Sequence, residues 1–271
     1  MPLKPHDRAP RPKSAIAGVG RVLLWNGGSL WIGHAAGSGN FHSHHAIQIS
    51  LALTARLKLR SDGGAWHQYT GAIVRPHQRH QFDGCGESVA QLFVEPETTQ
   101  GRALLERHPG ASISSLPGEI IEPLIAALRR AYDSRAADDA LITIGQRGID
   151  TLSGSVPPAL AVDPRITRAI QWVQSRKGLP ITLAEVARVA HLSPSRFRHL
   201  FIAQTGISFR AYLLWARVAA AVGAAMGGMS WTDAAQEWGF ADSAHLSRTC
   251  RRMFGIAPSM LIRASARAPA Q

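Results

Sequence analysis

Histidine is the residue type with chemical capacity that first stands out in this chain. Seven of its 12 histidines fall between His34 and His80. Within them, His42-x-His44-x-x-x-Gln48 places two imidazoles and an amide on one short stretch, and Gly71-x4-Pro76-x3-His80 adds a third imidazole. Imidazole is a common ligand for transition metals, and three histidines on neighbouring strands could hold zinc. Gln48 is a neutral amide, a weaker ligand than a carboxylate, so the expectation is that no metal binds. His42, His44 and His80 are the candidates if one does. The other reading is a metal-free effector pocket built from His42, His44, Gln48, Trp66 and His80. Trp31, Phe41 and Tyr69 are further aromatic candidates, although aromatic residues in a small β-domain are more often core. Cys85 lies in the loop-like Asp83-Gly84-Cys85-Gly86, where an isolated thiol is usually inert.

A second chemistry lies in the charge. From Pro164 to the end there are 14 Lys+Arg against 4 Asp+Glu, so that segment carries +10 of the net +12. Such a basic segment suits a polyanion, because neutralising phosphates releases counterions. Two stretches in it phase as amphipathic helices. In the first, Phe197, Leu200 and Phe201 share one face, while Ser195, Arg198, His199 and Ile202 lie opposite, with Arg196 at the flank. In the second, Leu246, Cys250, Met253 and Phe254 face inward, while Ala244, His245, Arg248 and Arg252 face outward beside Arg251. An arginine can fork onto guanine in a major groove, and an aliphatic side chain can meet a thymine methyl.

The elements that must position these residues can be read from periodicity. Residues 20–95 read as short strands broken by Gly, Asp and Pro: Ala46–Leu53, Arg56–Arg60, Gly71–Val74, His80–Asp83 and Val89–Val94, with Asp62-Gly63-Gly64 as a hairpin turn. After Pro96 the pattern is helical, through Thr98–Arg107, a helix bearing Ile120, Ile121, Leu124, Ile125 and Leu128, and Asp138–Leu152. Ser153-Gly154-Ser155-Val156-Pro157-Pro158 reads as an interdomain linker. Beyond Asp163 all is helix. Thr182 with Glu185 and Ser230 with Asp233 form capping boxes, and Ser193-Pro194 starts a third helix right after a tight turn. The fold class is therefore α+β. Its parts are a flexible basic tail (1–19), a β-barrel-like domain with helices (20–152), a linker (153–163) and an all-α domain of two helix-turn-helix units (164–271). Cys85 and Cys250 lie in different domains, so no disulfide framework is expected. No apolar run reaches the ~20 residues of a membrane span, and the Pro-rich basic start is not of secretory type.

The C-terminal pattern is specific enough to resemble a known family. Gly206-Ile207-Ser208-Phe209, Tyr212-Leu213, Arg217, Ala221, Ser230, Ala234, Gly239-Phe240, Asp242-Ser243, Leu246-Ser247-Arg248 and Phe254-Gly255-Ile256-Ala257-Pro258 resemble the AraC/XylS family of bacterial transcription regulators. The resemblance implies two recognition helices offered to successive major grooves. Ser195, Arg198 and His199, then Ala244, His245 and Arg248, would face the bases. Leu246 and Cys250 stand where that family commonly has Phe, and Ala224-Ala225 where it commonly has a Leu pair. With Gly223, Gly227 and Gly228, these departures imply a looser second unit. The histidine patterns are similar to the two cupin motifs, with Gln48 in place of a metal-binding Glu, Gln78 in place of a Gly, and Pro76 one residue early.

Together the resemblances imply a cytoplasmic, non-enzymatic transcriptional regulator that binds double-stranded DNA. A small effector would enter a cupin-like sensor domain, and no cofactor is required. The other partners expected are a second copy of the chain and RNA polymerase, with no membrane. Activation and repression both remain open, as does the effector. The dimer is expected to be held chiefly by the helix bearing Ile121, Leu124, Ile125 and Leu128. The alternative from another class is a metal-dependent cupin enzyme with a basic nucleic-acid-binding tail.

Overall fold

Alternation along a central strand decides what faces the interior. The computed structural model describes residues 17–154, 162–176, 178–258 and 261–263. In it β1 (Ala17–Trp25), β2 (Gly28–Ala36), β3 (Ile47–Ala52), β4 (Leu57–Ser61), β5 (His67–Tyr69), β6 (Gly71–Val74), β7 (His80–Asp83), β8 (Glu87–Val94) and β9 (Ile113–Ser115) precede the C-terminal helices, with β10 (Leu261–Arg263) after them. β3 is buried along its whole length. Ile47, Ile49 and Leu51 join a core with the helices outside, so Gln48, Ser50 and Ala52 point the other way, between the sheets.

The strands form two facing sheets and not a closed barrel. The larger has the order β10-β1-β2-β8-β3-β6-β9, and the smaller has the order β5-β4-β7. Leu57 and Leu59 of the small sheet pack on Ala52, Ala72, Val74 and Val89 of the large one. The isolated bridges Ser38↔Asp83 and His42↔His80 stitch the sheets along one side. Closure is unnecessary on that side because the C-terminal domain covers the rim, as described below. β1 begins at Ala17, inside the segment read as tail, and pairs with β2 through to Ala36.

α1 (Thr99–Arg107), α2 (Gly118–Asp133) and α3 (Asp138–Ser153) cover the outer face of the large sheet. This corrects the role expected for α2. Ile121, Leu124 and Leu128 are 1%, 8% and 0% exposed within one chain, packed against the sheet and α3. Gly148 of α3 admits Leu124 so closely that a Cβ there would overlap its methyl groups. The apolar stripe is spent on the protein's own core, Ile125 is only partly buried, and these leucines are not available as a dimer interface. The core of the linker read from sequence, residues 155–161, lies outside the described residues, as do residues 1–16 of the tail.

The C-terminal domain consists of α4 (Pro164–Gln174), α5 (Leu183–Val189), α6 (Pro194–Thr205), α7 (Phe209–Met226), α8 (Trp231–Glu237) and α9 (Ser243–Phe254). The first unit has its own core, in which Phe197, Phe201, Phe209 and Tyr212 make edge-on or tilted ring contacts around Ile166, Val186 and Ala187. The second unit shares its core with the N-terminal domain. Trp215, Val222, Met226, Leu246, Cys250 and Phe254 pack with Ala46 and Phe93, and with the partly buried Val22 and Trp31. Leu246 and Cys250 are fully buried, so the second unit is not loosely packed. Gly223 does not break α7 either. Leu24 of β1 sits where a Cβ at 223 would be, so the glycine lets helix and strand approach. α7 is long and apolar enough by composition to cross a membrane, with mean hydropathy 1.2. Here its apolar positions are divided between the two units' cores.

Candidate nucleic-acid interface and effector site

Capping sets the direction of each recognition helix. α5 opens with a complete capping box, in which the Thr182 hydroxyl accepts from the Glu185 N–H and the Glu185 carboxylate accepts from the Thr182 N–H. In α8 the shorter Asp233 reaches only the Ser230 hydroxyl, which donates to it at 2.6 Å, so that box is partial. α6 starts at Ser193, which accepts from Arg196 N–H, and α9 at Asp242, which accepts from His245 N–H. Both end on a left-handed glycine, Gly206 and Gly255.

The residues selected by phasing lie where expected in space. Phe197, Phe201, Leu246 and Cys250 are 0% exposed. Ser195, Arg196, Arg198, His199, Ile202, Ala244, Arg248, Arg251 and Arg252 are exposed, and His245 is partly so. None of these five arginines forms an ion pair among the described residues, so their guanidinium groups remain available to a polyanion. His199 Nδ1 lies 2.9 Å from the Ser195 carbonyl and must carry the proton there, because a carbonyl only accepts. His245 is steadied by Phe240, with ring centroids 5.3 Å apart.

Strand geometry gathers four of the five effector candidates. A reciprocal pair of 2.9 Å backbone hydrogen bonds fixes His42 beside His80, and β3 alternation brings Gln48 inward. His42, His44, Gln48 and His80 are all at most 6% exposed. Each histidine offers one ring nitrogen, and the three lie within 4.8 Å of one another. His44 Nε2 is 2.9 Å and His80 Nε2 3.2 Å from Gln48 Oε1, while Gln48 Nε2 donates to Ser50 Oγ. Burial, reinforced by the neighbouring His80, holds His44 down to about 3. Burial likewise lowers His42 well below its ordinary value and also lowers His80, so all three are neutral near pH 7.

Trp66 is not brought to this cluster. It is half-exposed on the small sheet, with the Arg60 guanidinium 4.7 Å above its ring, and Phe41 meets Arg60 and Arg79 in the same way. Tyr69 is half-buried on β5 beside Leu57 and Leu59. Trp31 does line a cavity, at the junction with the helical domain. It meets Phe254 of α9 in a tilted contact at 4.7 Å and Phe93 edge-on. Cys85 is exposed in its loop, and burial together with Asp83 raises its thiol, which disfavours the reactive thiolate.

Sequence reasoning missed the junction between the domains. A cavity of about 100 Å³ is lined by Trp31, His34, His42, Gln48 and Phe93 from the sheets and by Met226, Phe254 and Ile256 from the helical domain. Asn40 N–H donates to the Gly255 carbonyl at 2.9 Å, which ties the end of α9 to the rim. Nearby, His45 Nε2 lies 2.7 Å from Glu97 Oε2 in a fully buried pair. Glu95 is pushed up to about 8 by burial and by Glu97, with Trp215 and Gln174 opposing the shift. On the first unit, Arg102 donates to the Gln204 carbonyl at 3.0 Å, and Gln204 Oε1 accepts from Asp163 N–H. The His45–Glu97 and Arg102–Gln204 contacts carried no sequence signal, because their partners lie 52 and 102 positions apart along the chain.

Comparisons with known proteins agree with this geometry. Residues 186–264 match the family model described as a helix-turn-helix domain. The chain is 28% identical over 164 residues to the HTH-type transcriptional regulator YpdC of Escherichia coli K12, a match that covers 59% of this chain and 51% of the relative. The chain thus spans about half the length of the curated relative it matches. Its fold is similar to that of ToxT from Vibrio cholerae O395, at TM-score 0.51 and 13% identity, over 91% of this chain and 96% of that one. A ToxT structure from strain SCE256, described as bound to an unsaturated fatty acid, gives TM-score 0.51 and 14% identity over 90% and 92%.

Proposed function

We propose that this chain, whose C-terminal domain is a helix-turn-helix domain of the AraC type, is a transcriptional regulator controlled by a small effector in its N-terminal domain. Ser195, Arg198, His199 and Ile202 of α6 read base edges in one major groove, and Ala244, His245 and Arg248 of α9 read them in the next. Arg196, Arg251 and Arg252 lie beside these faces and meet phosphates. The observation that carries the effector half is the seat of Phe254. It ends the second recognition helix and also lines the cavity of the sensor domain, so an occupant of that cavity touches the reading head directly. Binding then shifts how the second unit is held, with no chemistry on DNA.

The side chains that line the cavity are apolar apart from Arg21, His34, His42, Gln48 and Gln91. Its ~100 Å³ is below the roughly 150 Å³ that accommodates a benzene in an apolar protein cavity. A fatty acid of the kind held by ToxT exceeds it, so a compact effector fits better unless the domains part. The regulator reading places the chain in the cytoplasm as a non-enzymatic homodimer, with duplex DNA and RNA polymerase as partners. The test is selection of bound duplexes from a random pool by the purified full chain. Recovery of a defined motif with two groove-spaced halves is the expected result. Equal retention of all sequences at 150 mM salt would overturn the reading.

A further inference from the structure

We infer that the cleft between the β1–β2 turn, the start of α1 and α4 binds a small organic cation, a protonated amine with an apolar body, through Glu95 and Glu97. The cleft has a volume of about 380 Å³, and Asn26, Glu95, Glu97, Thr167, Gln171 and Gln174 are among its lining. Past Asn26, Gly27, Glu95, Gln171 and Gln174 it continues into a second stretch of about 470 Å³. The first stretch shares no lining residue with the cavity beside Phe254, so the two sites are separate.

The carboxylates lack a donor. His45 Nε2–H donates to Glu97 Oε2 at 2.7 Å, yet Glu97 Oε1 has no hydrogen-bond partner among the described residues although its side chain is 3% exposed. A buried carboxylate oxygen left unpaired is destabilising, and a donor entering the cleft removes that cost. Glu95 is partly exposed on the same wall, where its Oε2 accepts from Gln174 Nε2 at 3.2 Å. Burial and then the neighbouring Glu97 push Glu95 up to about 8, so near pH 7 it keeps a proton. A cation beside the pair supplies the missing donor, displaces that proton and lets Glu95 ionise. The Trp215 indole N–H, buried beside Glu95 without a hydrogen-bond partner, can then donate to the carboxylate.

The cation is organic and not a metal ion. Glu95, Glu97 and His45 do not bring three ligand atoms together as an ion needs, and a hard divalent ion asks for about six or more oxygens. An ammonium brings three donors and needs only acceptors within hydrogen-bond reach. Its apolar body follows from the walls of the wider stretch, where Leu24, Trp25, Leu179, Ile181 and Leu213 lie. Leu24 and Leu179 are 38% and 53% exposed, two of the three large apolar side chains left open to solvent among the described residues, so an occupant gains by covering them. The other titratable or charged groups around Glu95 are Glu97 with His45, Tyr212, which burial raises well above its ordinary value, and Arg102, Arg176 and Arg217 on the cleft walls. Those arginines disfavour a cation elsewhere in the cleft and confine it to the carboxylates. Gln174 of α4 bonds both Glu95 and the Tyr212 hydroxyl of the first unit's core. An occupant therefore also bears on how that unit is held; this consequence, unlike the binding, rests on the regulator reading.

The experiment titrates phenethylamine, tryptamine and octylamine, each beside its alcohol and carboxylate analogues, into the purified full chain and follows heat and melting temperature. At least one amine should bind at one equivalent with a dissociation constant of ~1 mM or tighter, and roughly tenfold or more tighter than its matched alcohol and carboxylate. At pH 7 binding should release about one proton, read as heat that varies with the buffer's ionisation enthalpy, and affinity should rise by up to about tenfold per unit toward pH 8. Glu95→Gln keeps the shape of the protonated side chain and should stay folded, yet lose roughly tenfold or more in affinity together with the buffer dependence. Glu95→Asp retains the charge and should retain the buffer dependence. No saturable binding of any of the three amines by folded wild type, or equal binding by Glu95→Gln, would overturn the site. Tighter binding of a carboxylate would overturn it too and mark the cleft as an anion site of Arg217. A bound amine that leaves affinity for the selected duplex unchanged would overturn the consequence for the first unit alone.

Discussion

Arg198→Ala tests the orientation of the first recognition helix with little interference from stability. Arg198 is exposed on α6 and forms no ion pair or hydrogen bond among the described residues, so its removal should alter folding by no more than ~0.5 kcal/mol. A guanidinium forked onto guanine is worth ~1–3 kcal/mol of discrimination, or roughly 5- to 150-fold in affinity. The loss should fall on one base position of the selected motif, with non-specific affinity nearly unchanged. The assay is binding of the cognate duplex and of single-base variants by wild type and mutant between 50 and 200 mM salt. Arg252→Ala serves as the control, because it lies later on the exposed face of α9. It should weaken every duplex alike and reduce the magnitude of the salt slope by about one, as loss of a phosphate contact does. If Arg198→Ala instead lowers all sequences equally and flattens the salt dependence, Arg198 is a phosphate ligand. The base-reading face would then lie about a quarter turn away on α6.

Other outcomes follow from the packing. Phe254→Ala should cost about 3–5 kcal/mol, because a nearly buried ring loses Trp31, Phe93 and Trp215 together; a loss under 1 kcal/mol in denaturant unfolding would mean that the domains are not docked in solution. Leu128→Glu places a carboxylate at a 0% exposed position and should cost more than ~4 kcal/mol and precipitate the protein; a folded monomer of unchanged stability would restore α2 as a dimer interface. Glu95 has a folded pKa raised to about 8, so its contribution is complete below the ordinary Glu range and is lost as pH rises toward 8. Glu95→Gln should therefore gain on wild type as pH goes from 5 to 9, by on the order of 1–2 kcal/mol since Glu95 is only partly buried; a pH-independent difference would refute the assignment.

Much of this protein is local and therefore legible along the chain. The capping residues Thr182, Ser193 and Asp242 and the left-handed glycines Gly206 and Gly255 act within a few residues of themselves. So does the 3.6-residue period that separates Phe197 and Phe201 from Arg198 and His199. The strands Gly71–Val74 and His80–Asp83 were bounded by Pro and Gly in the same way. What only the tertiary structure decided is where apolar surface is spent, because a stripe of leucines looks the same whether it meets a second chain or its own sheet. Leu124 and Leu128 met the sheet. The open rim of the two sheets was covered by Trp215 and Phe254, which joined the second unit's core to the sensor domain. The same long-range pairing placed His80 beside His42 and aimed three imidazole nitrogens at one buried point. Periodicity assigns each side chain a face, but only chain closure determines which other face it meets.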